Sequence, residues 1–356
     1  MLTSIRIQGF KGFRDTEIKP IRNVNLILGG QNVGKTSLLE AVYLGADSLG
    51  SVSQLPGVFR LVEGSDTKRY MDRVFNGRCV QIDLEVDIGL VRGALSADEV
   101  DEPVHGTLTT EINHPKPKRL FLSDKDKEKE SSRKLISSHE YDGLSFHQYV
   151  ATNPIIRSSA DGGFAPSELF QTPLAVSVNP PSQSMTVQLL DKVVMKRKKR
   201  VLIDLLRRIE PRLEDLHSLS PDGELRVYVE LEEQANAVPL PQLGHGFSRL
   251  LYLYCSLLVT ESKLALLDEV ENGIHFASLL TLFKGIQDMA ANQGIQTLMT
   301  THSWECIRAA YKTFADANCL KDFQLIRLER DGDNVKAVVI NDDALDTVME
   351  AGYEVR

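Results

Sequence analysis

Gly29-Gly30-Gln31-Asn32-Val33-Gly34-Lys35-Thr36, followed by Ser37, is the stretch from which the rest of the chain can be read. Upstream of it, Val24, Leu26 and Leu28 alternate, with Ile27 also apolar, as in a buried strand. Downstream, Leu38, Leu39, Val42 and Leu44 recur at helical spacing. A glycine loop of the form G-x-x-x-x-G-K-[ST] between a strand and a helix is the phosphate-binding loop. It aims backbone N–H groups and the positive end of a helix at a triphosphate. Lys35 is placed to reach the β- and γ-phosphates, and the Thr36 hydroxyl to ligate Mg²⁺. In this context an ordinary glycine turn is the weaker alternative.

The 356 residues have room for one large domain or two ordinary ones. A hydrophobic fraction of 42% beside 25% charged residues is the balance of a soluble globular chain. No segment approaches the roughly 20 apolar residues that cross a bilayer. The longest apolar run, Leu250 to Val259, contains Ser256 and reads as a buried helix. Met1-Leu2-Thr3-Ser4-Ile5-Arg6 has the pattern of a strand and not of a signal peptide. Cys79, Cys255, Cys306 and Cys319 lack metal-ligand spacing, which fits reduced thiols in the cytoplasm. With a net charge of −8, any contact with nucleic acid must come from a local basic patch.

Ile5, Ile7, Phe10 and Phe13 predict an opening strand and turn that feed the loop strand. Val80, Ile82, Leu84 and Val86 predict another strand within 80–92. From about 100 to 185 the patterns weaken, and His114–Lys118, Asp124–Lys134 and Ser158–Pro166 read as polar loops. Leu189 to Leu216 reads as helical with a break at Pro211, its apolar face formed by Val201, Leu202, Leu205, Leu206 and Ile209. Its beginning carries Lys196-Arg197-Lys198-Lys199-Arg200. That run is either a solvated helix face or a contact for a phosphate backbone or an acidic protein. Leu225–Leu231 is a predicted strand, and Phe323–Leu328 with Val335–Ile340 a predicted hairpin around Asp331–Asn334.

Leu264-Ala265-Leu266-Leu267 is an apolar strand ending in Asp268 and Glu269. Such a strand delivers carboxylates to the sheet edge where a phosphate loop lies. Asp268 then supports Mg²⁺, and Glu269 takes the proton of the water attacking the γ-phosphate. Gln296–Thr301 is a further short strand and leads into His302, whose imidazole can sense the γ-phosphate. Leu243-Gly244-His245-Gly246-Phe247-Ser248-Arg249 opens the apolar helix with two glycines and a serine, an anion-seeking helix start. Lys35 already occupies one side of a triphosphate, so a second such start points to a site completed by another subunit.

These blocks together resemble the ABC-type ATPase heads shared by SMC-like, DNA-repair and overcoming-lysogenisation-defect (OLD) proteins. More narrowly, the chain is similar to the small bacterial "AAA15" ATPases of the OLD-like group. The resemblance spans nearly the whole chain and rests on five blocks: Ile5–Phe13, Gly29–Ser37, Gly244–Arg249, Asp268–His275 and Thr300–Glu305. It implies an α/β fold: a P-loop NTPase of the ABC-ATPase head type, with a mixed sheet core, an antiparallel β portion and a helical lobe. The implied organisation is a single head over 1–356. Its parts are a phosphate-loop lobe (1–95), an insertion (96–188), a helical/β lobe (189–240) and a lobe with signature, acidic pair and switch histidine (241–356).

By the same resemblance Gly29–Ser37 hold ATP, Thr36 and Asp268 hold Mg²⁺, Glu269 is the base and His302 the switch histidine. Glu271–His275 correspond to the loop that crosses a dimer interface. Gly244, Gly246, Ser248 and Arg249 correspond to the signature that meets ATP bound in a partner head. The signature departs from the transporter form, Ser-Gly-Gly-Gln, and Gln54 and Gln81 stand as candidates for a glutamine lid. After His302 the sequence ends at Arg356, too short for the TOPRIM nuclease domain of OLD nucleases. The long coiled coil of SMC proteins is missing from the middle.

An ATPase that dimerises around ATP is therefore expected, acting on a separately encoded effector protein or on DNA through Lys196–Arg200, in antiviral defence or DNA maintenance. The alternative is an ATP-gated scaffold with little turnover. A GTPase is disfavoured because no Asn/Thr-Lys-x-Asp segment is present, and the signature and acidic block speak against a transporter subunit.

Overall fold

The computed structural model describes residues 1–46, 58–59, 74, 80–88, 104–113, 134–141, 144–153, 172–178 and 182–351. Its centre is a six-stranded sheet in the order β15-β14-β3-β13-β12-β8. The strands are β3 (Val24–Gly29), β8 (Leu174–Val176), β12 (Leu264–Leu267), β13 (Gln296–Thr300), β14 (Phe323–Asp331) and β15 (Asn334–Ile340). All neighbours pair in parallel except the β14–β15 hairpin.

Every residue of β3, β12 and β13 is buried, as expected of parallel strands covered on both faces. The covering is divided by the strand period of two. Val24, Leu26 and Leu28 face one apolar cluster and Ile27 the other, while Ala265 and Leu267 oppose Leu264 and Leu266 in the same way.

On one face lies helix α1 (Lys35–Ala46) with a six-stranded antiparallel sheet. That sheet has the order β2-β1-β4-β5-β7-β6. Its strands are β1 (Leu2–Phe10), β2 (Phe13–Ile18), β4 (Val80–Ile88), β5 (Val104–Asn113), β6 (Lys134–Tyr141) and β7 (Leu144–Asn153). Three of these strands come from the stretch in which the sequence patterns weaken. Among the described side chains of β5, Leu108 and Ile112 are the buried apolar ones, beside buried Thr109 and Thr110, so polar residues mask the strand. Most of the polar stretches within 114–134 and 158–166, like Gln54, lie outside the described residues.

The opposite face is covered by helices α2 (Gln183–Met195), α3 (Lys199–Leu206), α4 (Gly244–Val259), α5 (Leu279–Gln293) and α6 (Trp304–Asp316). A small sheet of β9 (Leu213–Leu219), β10 (Arg226–Leu231) and β11 (Val238–Pro239) joins them, and α7 (Asp342–Ala351) follows β15. Helix α4 is the buried apolar helix expected from its sequence, with Tyr254 wholly enclosed and its hydroxyl donating to Thr281 O at 3.0 Å. An added Cβ on Gly285 would lie 2.6 Å from that tyrosine ring, so helix α5 needs glycine there.

The helix expected to reach Leu216 ends at Leu206, and Leu213–Leu219 is a strand. The register of β9 against β10 shifts between Leu213 and Asp215. This bulge turns Leu213 and Leu216, three positions apart, to the same buried side and so mimics helical spacing. Among the described residues no helix is long and apolar enough to cross a membrane.

Candidate functional site

Strand β13 lies between β3 and β12 in the parallel sheet, with Thr300 beside Ile27 and Leu267 beside Met299. The carboxyl ends of all three strands therefore open at one edge, and the segments following them meet there. They line a cleft of about 600 Å³ together with Phe59 and Val178. The loop contributes Gln31, Asn32, Gly34, Lys35, Thr36 and Ser37, the acidic turn Asp268 and Glu269, and the last segment His302.

The loop after β3 turns on backbone angles that side chains resist. Gly29 has φ 144°, Asn32 φ 58° and Gly34 φ 119°, and a Cβ on Gly29 would lie 2.5 Å from Leu328 O. Val33 is buried in the apolar cluster beneath the loop and anchors it. Lys35 is buried too, and its Nζ donates to Gly29 O at 2.7 Å and Gly30 O at 2.9 Å. Burial lowers the Lys35 pKa, opposed by the fields of Glu269, Asp268 and Glu271.

The Thr36 hydroxyl donates to both oxygens of Asp268, at 3.1 and 3.0 Å. On the other side of that carboxylate, Thr300 Oγ1 donates to Asp268 Oδ1 at 2.7 Å and accepts from Glu269 N at 2.8 Å. Glu269 adopts φ 44°, an unusual angle for a residue with a side chain. The turn is closed by Asn272 N donating to Glu269 O at 2.9 Å. Glu269 Oε1 lies 3.2 Å from His302 Nε2.

Lys35, Thr36, Asp268, Glu269 and His302 are thus brought together as expected. Sequence reasoning missed Thr300, Phe59 and Val178; the paired hydroxyl residues Thr300-Thr301 just before His302 were the available signal for the first. The donor set of Thr36 and Asp268 is all oxygen and suits a hard divalent cation. Chemically, the cleft offers a cationic loop for a polyanion and a carboxylate–imidazole pair for proton removal.

The signature residues lie elsewhere. Gly244 (φ 86°) begins α4, and Ser248 Oγ donates to Gly244 O at 3.1 Å. His245, Ser248 and buried Arg249 line a separate hollow with Asn272 and Gly273, while Gly246 abuts the backbone of Gly273–His275. None of them lines the loop cleft. Gln81 donates to the Asp83 carboxylate at 2.9 Å and is not among the described residues lining the cleft.

The basic run spans the turn between α2 and α3 and the first two residues of α3. Lys196 Nζ donates to Val259 O and Glu261, and Lys198 Nζ to Leu258 O and Gln293. Lys199 pairs with Asp215 at 2.7 Å. Arg197 and Arg200 are exposed.

Residues 24–307 match the family described as "AAA domain, putative AbiEii toxin, Type IV TA system". The chain belongs to that family. This AAA-domain chain is 22% identical over 362 residues to a Helicobacter pylori protein named "ATP/GTP phosphatase", covering 93% of each.

Among solved structures the AAA-domain chain is similar to an SMC head bound to the C-terminal winged-helix domain of ScpA. There the TM-score is 0.55 at 12% identity, covering 98% of this chain and 99% of that one. A Pyrococcus furiosus SMC head bound to the C-terminal domain of ScpA gives 0.54 at 10% identity, covering 100% and 99%. The SMC head of Thermotoga maritima gives 0.50 at 13% identity, covering 96% and 99%. The fold is that of an ABC-type ATPase head: a P-loop α/β core with an antiparallel β portion and a helical lobe.

Proposed function

We propose that this chain binds and hydrolyses ATP as an OLD-like, AAA15-type head, pairs with a second copy around the nucleotide, and passes the nucleotide state to a separate effector or to DNA. The observation that carries the proposal is the convergence of Lys35, Thr36, Asp268, Glu269 and His302 on one cleft. The name of the Helicobacter pylori relative, ATP/GTP phosphatase, supports turnover.

Gly29–Ser37 cradle the phosphates, with Lys35 leaving the Gly29 and Gly30 carbonyls to meet the β- and γ-oxygens. Thr36 and Asp268 would hold Mg²⁺, which when bound neutralises charge on the phosphate oxygens. Thr300 fixes the Asp268 carboxylate and the backbone of Glu269. Glu269 accepts the proton of the attacking water, and His302, with its Nε2 3.2 Å from that base, would sense the γ-phosphate. Glu269, in its left-handed turn, lines the cleft.

Gly244, Gly246, Ser248 and Arg249 lie outside the cleft of their own chain, so a second copy is the natural source of these contacts. Two copies exchanging them form an isologous two-fold interface, and ATP held in that interface stabilises the pair by mass action. The lobes 1–95, 96–188, 189–240 and 241–356 divide these tasks between nucleotide loop, insertion, helical support and signature. The family's description, "putative AbiEii toxin, Type IV TA system", supports a role in a toxin-type system, and antiviral defence in the cytoplasm is the setting proposed for it. The ScpA complexes of the SMC heads support a protein partner docking on such a head.

The test is phosphate release with ATP and Mg²⁺ from the purified chain and from Glu269→Gln. Removing a general base costs about 10²- to 10⁴-fold, and a loss in that range is expected. Equal release by both proteins would remove Glu269 from the role.

A further inference from the structure

Glu271 sits two residues beyond the base, in the turn that follows β12, and its carboxylate reaches across to the segment after β13. Oε1 accepts two hydrogen bonds at 2.8 Å, one from the Thr301 hydroxyl and one from the backbone N–H of His302. Oε2 is shut off from solvent and accepts none. A carboxylate held with one oxygen doubly used and the other idle serves the two donors and not its own hydration, at a desolvation cost. The adjoining helix α6 does not need it as a cap, because Ser303 Oγ already accepts from Cys306 N at 3.1 Å.

The other end of the same turn is wedged against helix α4. A Cβ on Gly246 would come within 3.0 Å of Gly273 O, so the two backbones are in close contact. Glu271 therefore lies on a continuous path from the start of α4, through the turn 270–275, to the residue that pairs with Glu269 at 3.2 Å.

We propose that Glu271 is a positioning residue: it holds the backbone of His302 so that the imidazole meets Glu269, and it makes that pairing depend on where the turn 270–275 sits against the start of α4. The inference deepens the ATPase reading above and rests on it for its kinetic part. A disturbance at the start of α4, the face assigned to a partner head, would reach the proton-transfer pair by this route without touching the phosphate loop. Glu271 contributes an acceptor oxygen here. Its negative charge is felt at Lys35, and the two contributions separate experimentally, because glutamine keeps the acceptor and discards the charge.

The experiment compares Glu271→Ala, Glu271→Gln, His302→Ala and the double variant Glu271→Ala/His302→Ala. Steady-state phosphate release and amide hydrogen exchange of the peptide spanning Thr301–Trp304 are both measured. Loss of an outer partner of a site group costs about 10- to 100-fold in activity. Glu271→Ala is expected to lose that much in kcat with KM for ATP within about twofold, and to exchange the His302 amide faster without nucleotide. Glu271→Gln is expected to restore both, and the double variant to be no slower than His302→Ala. Wild-type kcat and wild-type exchange in Glu271→Ala would overturn the proposal, as would multiplying losses in the double variant. A Gln variant as impaired as Ala, with weakened nucleotide binding, would also overturn it in favour of a charge effect on Lys35. If the wild-type chain releases no phosphate, the ATPase reading fails, and unchanged exchange in Glu271→Ala is then the separate result that sinks the brace.

Discussion

Thr36 Oγ1 lies 3.0 and 3.1 Å from the two carboxylate oxygens of Asp268, although 232 positions separate the residues. The contact is a consequence of strand order. With β13 inserted between β3 and β12, the segments following three parallel strands open at one sheet edge, where ligands of open α/β sheets bind.

Lys35→Ala removes the buried ammonium that now rests on two loop carbonyls. A hydrogen bond to a charged group contributes about 1.5–3 kcal/mol, so ATP affinity should fall by about 10- to 100-fold or more. Titration calorimetry checks this, and unchanged affinity would reject the loop assignment.

The pH dependence of the nucleotide-free protein follows from the same lysine. Its pKa is lowered in the fold from the ordinary 10.5, so the unfolded chain binds more protons between the two values. The penalty for holding Lys35 charged is complete below its folded pKa and is relieved as pH rises toward 10.5. The stability of wild type relative to Lys35→Met should therefore rise over that window. Urea unfolding of both proteins at several alkaline pH values measures it; a falling difference would contradict burial as the cause.

Thr300→Val keeps the shape of a wholly buried residue but removes the hydroxyl that joins Asp268 Oδ1 to Glu269 N. A buried polar group left without its partner costs about 1–3 kcal/mol. The variant should unfold at lower denaturant concentration and lose turnover while still binding ATP through the loop. Normal kcat in a folded Thr300→Val would show that the acidic turn holds itself.

Within the basic run two kinds of cation separate. Lys196 and Lys198 donate to Val259 O and Leu258 O at the carboxyl end of α4, where a cation contributes about 0.3–1 kcal/mol each. Alanine at these two should lower the melting temperature. Alanine at exposed Arg197 and Arg200 should leave stability within about 0.5 kcal/mol and weaken binding of DNA or an acidic partner if this turn is the contact. Unaltered binding in the arginine pair would leave the turn with a structural task alone.

The parts of this arrangement that were legible in the sequence are those with a local cause. Gly29, Gly34, Lys35 and Thr36 announce a loop by spacing, and Leu264–Leu267 announce the strand that carries Asp268 and Glu269. His302 was legible as the residue ending a short strand, but its pairing with Glu269 was not, since nothing local to either residue encodes the order of β3, β13 and β12. Strand β5 stayed hidden because Thr107, Thr109, Thr110 and Glu111 surround its Leu108 and Ile112 and break the apolar pattern. Leu213 and Leu216 misled because a bulge sets them in helical phase. Thr300 was hidden in plain view: a threonine ending a strand is common, and its two hydrogen bonds exist only across strands.

The most direct measurement of the central claim, that Lys35 and the Thr36–Asp268 pair enclose one magnesium triphosphate, is ATP binding with and without Mg²⁺ in wild type and in Asp268→Asn. Wild type should bind ATP more tightly when Mg²⁺ is present, and the variant should lose that gain while keeping the affinity seen without the metal. An equal Mg²⁺ gain in both proteins would contradict the claim.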